Sequence, residues 1–182
     1  MTKIAEIARE AMELIAPEVR PRPEDEEVIA RHKDELLGLT DAVVQAFYNA
    51  LFAHPPTRAF FREGERPTRE KTLAEWWKRT VEVPFDEKYW TWQAQVGLAH
   101  VRRGVSSALI MLQAFLVYNL VRHHASSPEL AAAMGRLLAT ASAVIIYAYE
   151  KTQLLSVAET TGMSQELLRT NIALGVEKLL EG

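Results

Sequence analysis

The sequence contains no cysteine. Disulfides, zinc fingers, iron–sulfur clusters and thiolate chemistry are therefore excluded. Glycine is sparse: eight residues, scattered singly, so there is no Gly-rich loop to cradle a phosphate and no Gly-x-Ser-x-Gly elbow. No stretch alternates polar with β-branched residues, and no strand is expected. Glu-x-x-His pairs, the mark of a di-iron bundle, are missing as well. A basic excess is also lacking: 21 Lys+Arg face 24 Asp+Glu, a net charge of −3, which argues against a dedicated nucleic-acid binder. The N-terminus MTKIAEIAREAMELIAPEV has no uninterrupted apolar core of the kind that directs secretion, so a cytoplasmic location is expected. One run, Gly104 to Val121, is free of charge but carries Ser106, Ser107, Gln113 and Asn119. It reads as a buried core helix, and no membrane span is expected.

What is present is helical pattern. Hydrophobic residues make up 48% and charged residues 25% of 182 residues, enough for one ordinary folded domain. The prolines fall between stretches with apolar residues three and four apart, where proline is tolerated. A first helix is expected from Lys3 to Ala16, and a second from Glu24 to Leu37 with Gly38 as its stop. A third, capped by Thr40 or Asp41, carries the stripe Val44–Tyr48–Leu51. His54-Pro55-Pro56 should end it and open a short helical turn through Phe60 and Phe61. Thr68 is expected to cap a helix through Leu73, Trp76, Trp77 and Thr80, and Asp86 to start one from Glu87 to Arg102. Ser106 or Ser107 opens a helix ending at His123-His124. Ser127-Pro128 starts one with no breaker before Gly162, about 50 Å long at 1.5 Å per residue. Ser164 caps a last amphipathic helix. Three parts are expected: residues 1–23 as an N-terminal helix and Pro-rich linker, 24–160 as the main domain, and 161–182 as a C-terminal helix.

Few residues offer chemistry. Of five histidines, His32 lies between Arg31 and Lys33, His54 precedes two prolines, and His123 and His124 close a helix, where a cation favours the dipole. His100 is different, because it follows the apolar run Val96-Gly97-Leu98-Ala99. An imidazole on an apolar helix face needs a partner, either a protein group or a metal. Tyr48, the Phe60-Phe61 pair and four tryptophans, Trp76, Trp77, Trp90 and Trp92, lie on the helices around it. Such aromatics fit the walls of a flat apolar cofactor and equally an ordinary core.

Four segments resemble the haem-binding domain of globin-coupled sensors and protoglobins. They are Ala46-Phe47-Tyr48-Asn49-Ala50-Leu51, the His54-Pro55 corner with Phe60-Phe61, Asp86-Glu87-Lys88-Tyr89, and Gly97-Leu98-Ala99-His100-Val101-Arg102-Arg103-Gly104-Val105. The resemblance covers about residues 24–158 and implies an all-α, globin-like helical sandwich with extra N-terminal helices and one extra C-terminal helix. It implies haem b (iron protoporphyrin IX) as cofactor, with His100 as the proximal iron ligand and Tyr48 as a distal hydroxyl able to hydrogen-bond a diatomic guest. Arg69, Thr72, Leu73 and Trp76 would form the distal wall, Phe47, Phe60 and Phe61 would pack the haem edge, and Val96 joins the cofactor contacts. Arg102, with Arg103, would serve the propionates or lie on the surface. The sequence departs from the family in having Ser107-Ala108-Leu109-Ile110 where sensor members carry Pro-x-Trp-Tyr, and in the Trp76-Trp77 pair, which adds bulk to the distal wall.

The implied function is reversible binding of O₂, NO or CO by a free-standing sensor or carrier globin rather than an enzyme. A haem peroxidase or NO dioxygenase, and a haem-free interaction module in stress signalling, are the alternatives. The helix from Pro128 carries two apolar stripes, Met134–Leu138–Ala141–Ile145–Ala148 and Leu130–Leu137–Val144–Tyr147–Leu154. One stripe covers a helix's own core, so the second calls for a partner. A homodimer through the last two long helices is expected, unless the terminal helix folds over that stripe.

Overall fold

The computed structural model describes residues 2–181. Among these the secondary structure is entirely helical, in the order α1 (Lys3–Leu14), a 3₁₀ turn (Pro17–Val19), α2 (Pro23–Arg31), α3 (Lys33–Gly38), α4 (Thr40–Ala53), α5 (Pro55–Arg58), α6 (Arg66–Thr80), α7 (Glu87–Arg103), α8 (Ser107–His124), α9 (Pro128–Thr161) and α10 (Gln165–Glu181). The arrangement is all-α and globin-like.

Local chemistry sets most boundaries. Thr2, Asp86, Ser127 and Ser164 each accept a hydrogen bond from the backbone N–H three residues on, at 3.3, 2.9, 3.1 and 3.2 Å, satisfying donors that a helix start leaves free. Gly104 and Gly162 end α7 and α9 with φ of +67° and +70°, the left-handed cap that glycine adopts without a Cβ clash.

Several boundaries differ from expectation: α1 ends at Leu14 rather than Ala16, and neither Thr40 nor Asp41 caps α4, which begins at Thr40 itself. The helix expected over Glu24–Leu37 is two, α2 and α3, broken at His32 (φ −103°, ψ 19°). Ile29 and Leu36 both remain fully buried, so their apolar spacing carried no sign of the break. The turn at the Pro55 corner stops at Arg58, leaving Phe60 and Phe61 in the following loop. Thr68 does not cap α6, which starts at Arg66 because Pro67 fits the first helical turn.

The long helix α9 is the centre of the fold, packed by α1, α2, α7, α8 and α10. Its tightest neighbour is α7: a Cβ on Gly97 would lie 2.4 Å from the Ile145 carbonyl oxygen and 3.0 Å from the Tyr149 nitrogen. Only hydrogen at that position lets the two backbones touch. Ile7, Ala8 and Ala11 of α1 enter the same core as Val117 of α8 and Leu137 of α9. Outside that core, Tyr147 Oη donates to Glu10 Oε2 at 2.8 Å, and Lys151 Nζ approaches the same oxygen to 2.9 Å. Asp25 of α2, itself buried, accepts from Arg136 Nε of α9 at 2.7 Å, with a second bond from Nη2 to Oδ1.

The first stripe on α9 is covered within the chain, and the second is covered except at Tyr147 and Leu154, which are half-buried. Met134, Leu138, Ala141, Ile145 and Ala148 are buried, and so are Leu130, Leu137 and Val144. Helices α1, α2, α7 and α8 supply most of that cover. Length and composition would let α9 cross a membrane, but over half of its most apolar stretch is buried in the fold. The uncovered apolar side chains are instead on α8, where Met111, Leu112 and Phe115 are 54%, 61% and 59% exposed, and on α10, which buries only Leu168.

Candidate functional site

Helices α4, α6, α7, α8 and α9 enclose a cavity of about 460 Å³. That volume is ordinary for a cofactor site. On α7, His100 points into it. Its Nδ1 lies 2.8 Å from the Val96 carbonyl oxygen; a carbonyl only accepts, so Nδ1 carries the proton and Nε2 keeps its lone pair. His32 and His124 make the same contact to the carbonyl four residues back, so the bond is a local habit of helical histidine. What singles out His100 is its place in the cavity wall. Burial holds its pKa below the ordinary histidine value, opposed by the Val96 hydrogen bond and reinforced by Arg103, and this favours the neutral ring that a metal ligand requires.

On α4, Phe47 and Tyr48 supply another part of the wall. The Tyr48 ring meets Phe47 and Phe61 edge-on, with centroids 5.2 and 5.9 Å away. Burial pushes its pKa up to about 12, so the phenol stays protonated. Its single proton goes to the Arg69 carbonyl oxygen at 2.9 Å. The expected distal hydroxyl is in the cavity wall, but a backbone acceptor holds its proton.

Helix α6 contributes Arg69, Thr72, Leu73 and Trp76. The Trp76-Trp77 pair does not thicken this wall twofold. Trp77 turns away into the core, fully buried with its indole N–H on the Leu36 carbonyl at 2.9 Å. Trp76 alone lines the cavity, its N–H 3.3 Å from Gln93 Oε1, and Gln93 is held in turn by the Tyr89 hydroxyl at 3.0 Å.

The rim is charged. Glu65 Oε1 accepts from Arg69 Nε at 2.6 Å and from Arg103 Nη1 at 2.7 Å, linking the start of α6 to the end of α7. The Arg103 hydrogen bond, the Arg62 backbone N–H and Arg69 together hold the Glu65 pKa down at about 2. Arg103 also reaches the Phe60 carbonyl at 3.3 Å and lies over the Phe61 ring.

Phe47, Tyr48, Phe60, Phe61, Arg69, Thr72, Leu73, Trp76, Val96 and His100 all line this cavity. Arg102 does not: it is exposed, and Arg103 takes its place. At about 100° per residue, position 103 returns to the face of position 100, whereas 102 lies nearly opposite. The sequence reading also missed the wall given by α8 and α9, including Leu109, Gln113, Val117, Ser142 and Ile145. The one available signal was Gln113, a polar residue inside a charge-free helix, one turn from Leu109 and Val117.

A single neutral imidazole facing apolar and aromatic walls, with arginines at the rim, fits haem. Among the described residues no group of three or more His, Cys, Asp or Glu side chains is placed to hold a bare metal ion. Residues 19–154 match the protoglobin family model. The chain belongs to the protoglobin family. Membership makes this protoglobin a globin, a class that binds haem and gas. No curated protein matches the chain.

Proposed function

We propose that this protoglobin binds haem b in the cavity between α4, α6, α7, α8 and α9, and reversibly takes up O₂, NO or CO as a sensor or carrier. The observation that carries this reading is His100, which lines an apolar cavity and whose Nδ1–H is fixed on Val96, leaving Nε2 with its lone pair. Haem, when bound, supplies an iron centre able to hold a diatomic gas. The chain's residues do the rest. His100 would hold the iron through Nε2, and Phe47, Phe61, Leu73, Trp76 and Val96 would exclude water from it. Arg69 and Arg103 offer cations to the propionates, each retaining guanidinium N–H groups beyond the ones committed to Glu65.

We favour gas binding over the haem-enzyme alternative, because Arg69, the residue expected to assist peroxidase chemistry, is tied to Glu65. We further propose a cytoplasmic homodimer. The support is the exposed apolar row Met111–Leu112–Phe115 on α8, together with the largely uncovered α10, an extent of apolar surface more typical of an interface than of a monomer.

Haem titration of the purified chain, followed by absorbance, tests the main reading. One equivalent of haem should give a saturating Soret band, and His100→Ala should abolish or severely weaken retention. A wild-type chain with no stoichiometric band would overturn haem binding. Full retention with an unchanged spectrum in His100→Ala would overturn the assignment of the ligand.

A further inference from the structure

The hydroxyls that line the main cavity have already given away their protons. Tyr48 donates to the Arg69 carbonyl at 2.9 Å, Thr57 to the Leu51 carbonyl at 2.5 Å, Ser142 to the Leu138 carbonyl at 2.7 Å and Thr72 to the Thr68 carbonyl at 3.0 Å. The Trp76 indole N–H is directed at Gln93 Oε1. A hydroxyl or indole has one proton, so each of these would have to break an existing bond to serve a guest.

Gln113 is in the opposite situation. Its side-chain Oε1 is buried and has no hydrogen-bond partner, a condition that costs stability and that native proteins rarely keep without a use. Gln113 lines the main cavity and also a smaller adjoining one, and it shares that double position with Thr57, Phe60 and Leu109. The smaller cavity is bounded by Ala50 and His54, so Gln113 stands where α8 meets α4 and the Pro55 corner. Helix α4, which carries Tyr48, packs directly against α8. The amide suits a small polar guest, because a half-turn of its terminal bond exchanges carbonyl oxygen for NH₂ and offers either acceptor or donor.

We propose that the Gln113 amide, rather than the Tyr48 hydroxyl, is the hydrogen-bonding partner of a diatomic guest and sets the preference of the pocket for O₂ over CO. This rests on the haem reading above. O₂ held at an iron centre carries more negative charge on its outer atom than CO does, so an amide N–H directed at it favours O₂ and leaves CO nearly unaffected.

The test compares Gln113→Leu with Tyr48→Phe, in haem-loaded and haem-free protein. In the loaded protein Gln113→Leu should speed O₂ dissociation about tenfold, the loss of one hydrogen bond of ordinary strength. CO dissociation should change far less, and the infrared stretch of bound CO should move to higher wavenumber. Tyr48→Phe should change O₂ dissociation by less than about twofold, since its proton is already spent on a backbone acceptor. In the haem-free protein, Gln113→Leu should raise the urea midpoint, because an apolar side chain replaces an unpartnered amide. An unchanged or lowered midpoint would show that the amide has a partner and would overturn the proposal. So would unaltered O₂ release in Gln113→Leu, or a larger effect from Tyr48→Phe, with haem binding left standing in both cases. A wild-type chain that takes up no haem would instead remove the reading on which the proposal rests, and the proposal with it.

Discussion

Replacing Gly97 by Ala adds one methyl group at the crossing of α7 and α9. That carbon would lie 2.4 Å from Ile145 O, 3.0 Å from Tyr149 N and 3.1 Å from Ala148 Cβ. Two of the three obstacles are backbone atoms of a buried helix, which cannot rotate aside as a long side chain would, so α7 and α9 must separate. Inserting a methylene-sized group into a packed core costs about 1–3 kcal/mol, and backbone obstruction puts this case at the upper end. Alanine returns about 1 kcal/mol through its better helix propensity. The net expectation is a loss of about 2 kcal/mol, which for a chain of this size lowers Tm by about 4–8 °C. Urea and thermal unfolding of haem-free protein read the loss directly, without involving the cofactor. His100 lies three residues further along α7, so the same displacement should also weaken haem retention. Gly38→Ala is the control: a Cβ there meets nothing within 4 Å, and stability should hold or rise slightly. A Gly97→Ala variant as stable as wild type would refute the claim that the two backbones touch.

Other outcomes follow from the same contacts. Arg136 holds the Asp25 carboxyl below its ordinary pKa, with the Arg22 backbone N–H assisting; the resulting stabilisation is present above the ordinary carboxylate pKa and is lost as pH falls through the depressed folded value. Asp25→Asn should therefore cost about 3 kcal/mol at neutral pH, and urea midpoints should converge with wild type as pH drops from about 5 towards 2. Ser127→Ala removes the acceptor for the Leu130 N–H and should cost about 1 kcal/mol in chemical denaturation. Phe115→Glu, on the exposed row of α8, should convert a dimer to a monomer in sedimentation velocity without lowering monomer stability; a wild-type monomer at micromolar concentration would end the dimer proposal.

Much of the fold was legible because its signals are local. Asp86, Ser127 and Ser164 cap helices through their own side chains, and Gly104 and Gly162 stop them through their own φ. Where a boundary depends on the rest of the molecule, the reading slipped. The break at His32 leaves Ile29 and Leu36 buried whether α2 and α3 are one helix or two. The same division holds in the site. His100 and Tyr48 lie in segments with recognisable order; Arg102 was favoured over Arg103, although helical periodicity alone puts Arg103 on the face of His100. Ser142 and Ile145 face the cavity from the far side of a helix about 40 residues downstream of His100, and only the tertiary crossing at Gly97 brings them there. Where Tyr48's proton goes was likewise invisible, since its acceptor is a main-chain carbonyl that no residue type encodes.

The crossing at Gly97 also has a mechanical meaning. Proteins absorb small local movements by adjusting side-chain rotamers, but between α7 and α9 no side-chain layer intervenes at this point. Ile145, whose carbonyl faces Gly97, is itself a cavity-lining residue. A push on α7 at the imidazole would meet the α9 backbone directly at this point. From Ile145 to the end of α9 at Thr161 the helix runs on for about 24 Å at 1.5 Å per residue. Over that arm a tilt of about 5° displaces the far end by about 2 Å. The second half of α9, up to the cap at Gly162, thus forms a pointer whose fulcrum is a hydrogen atom.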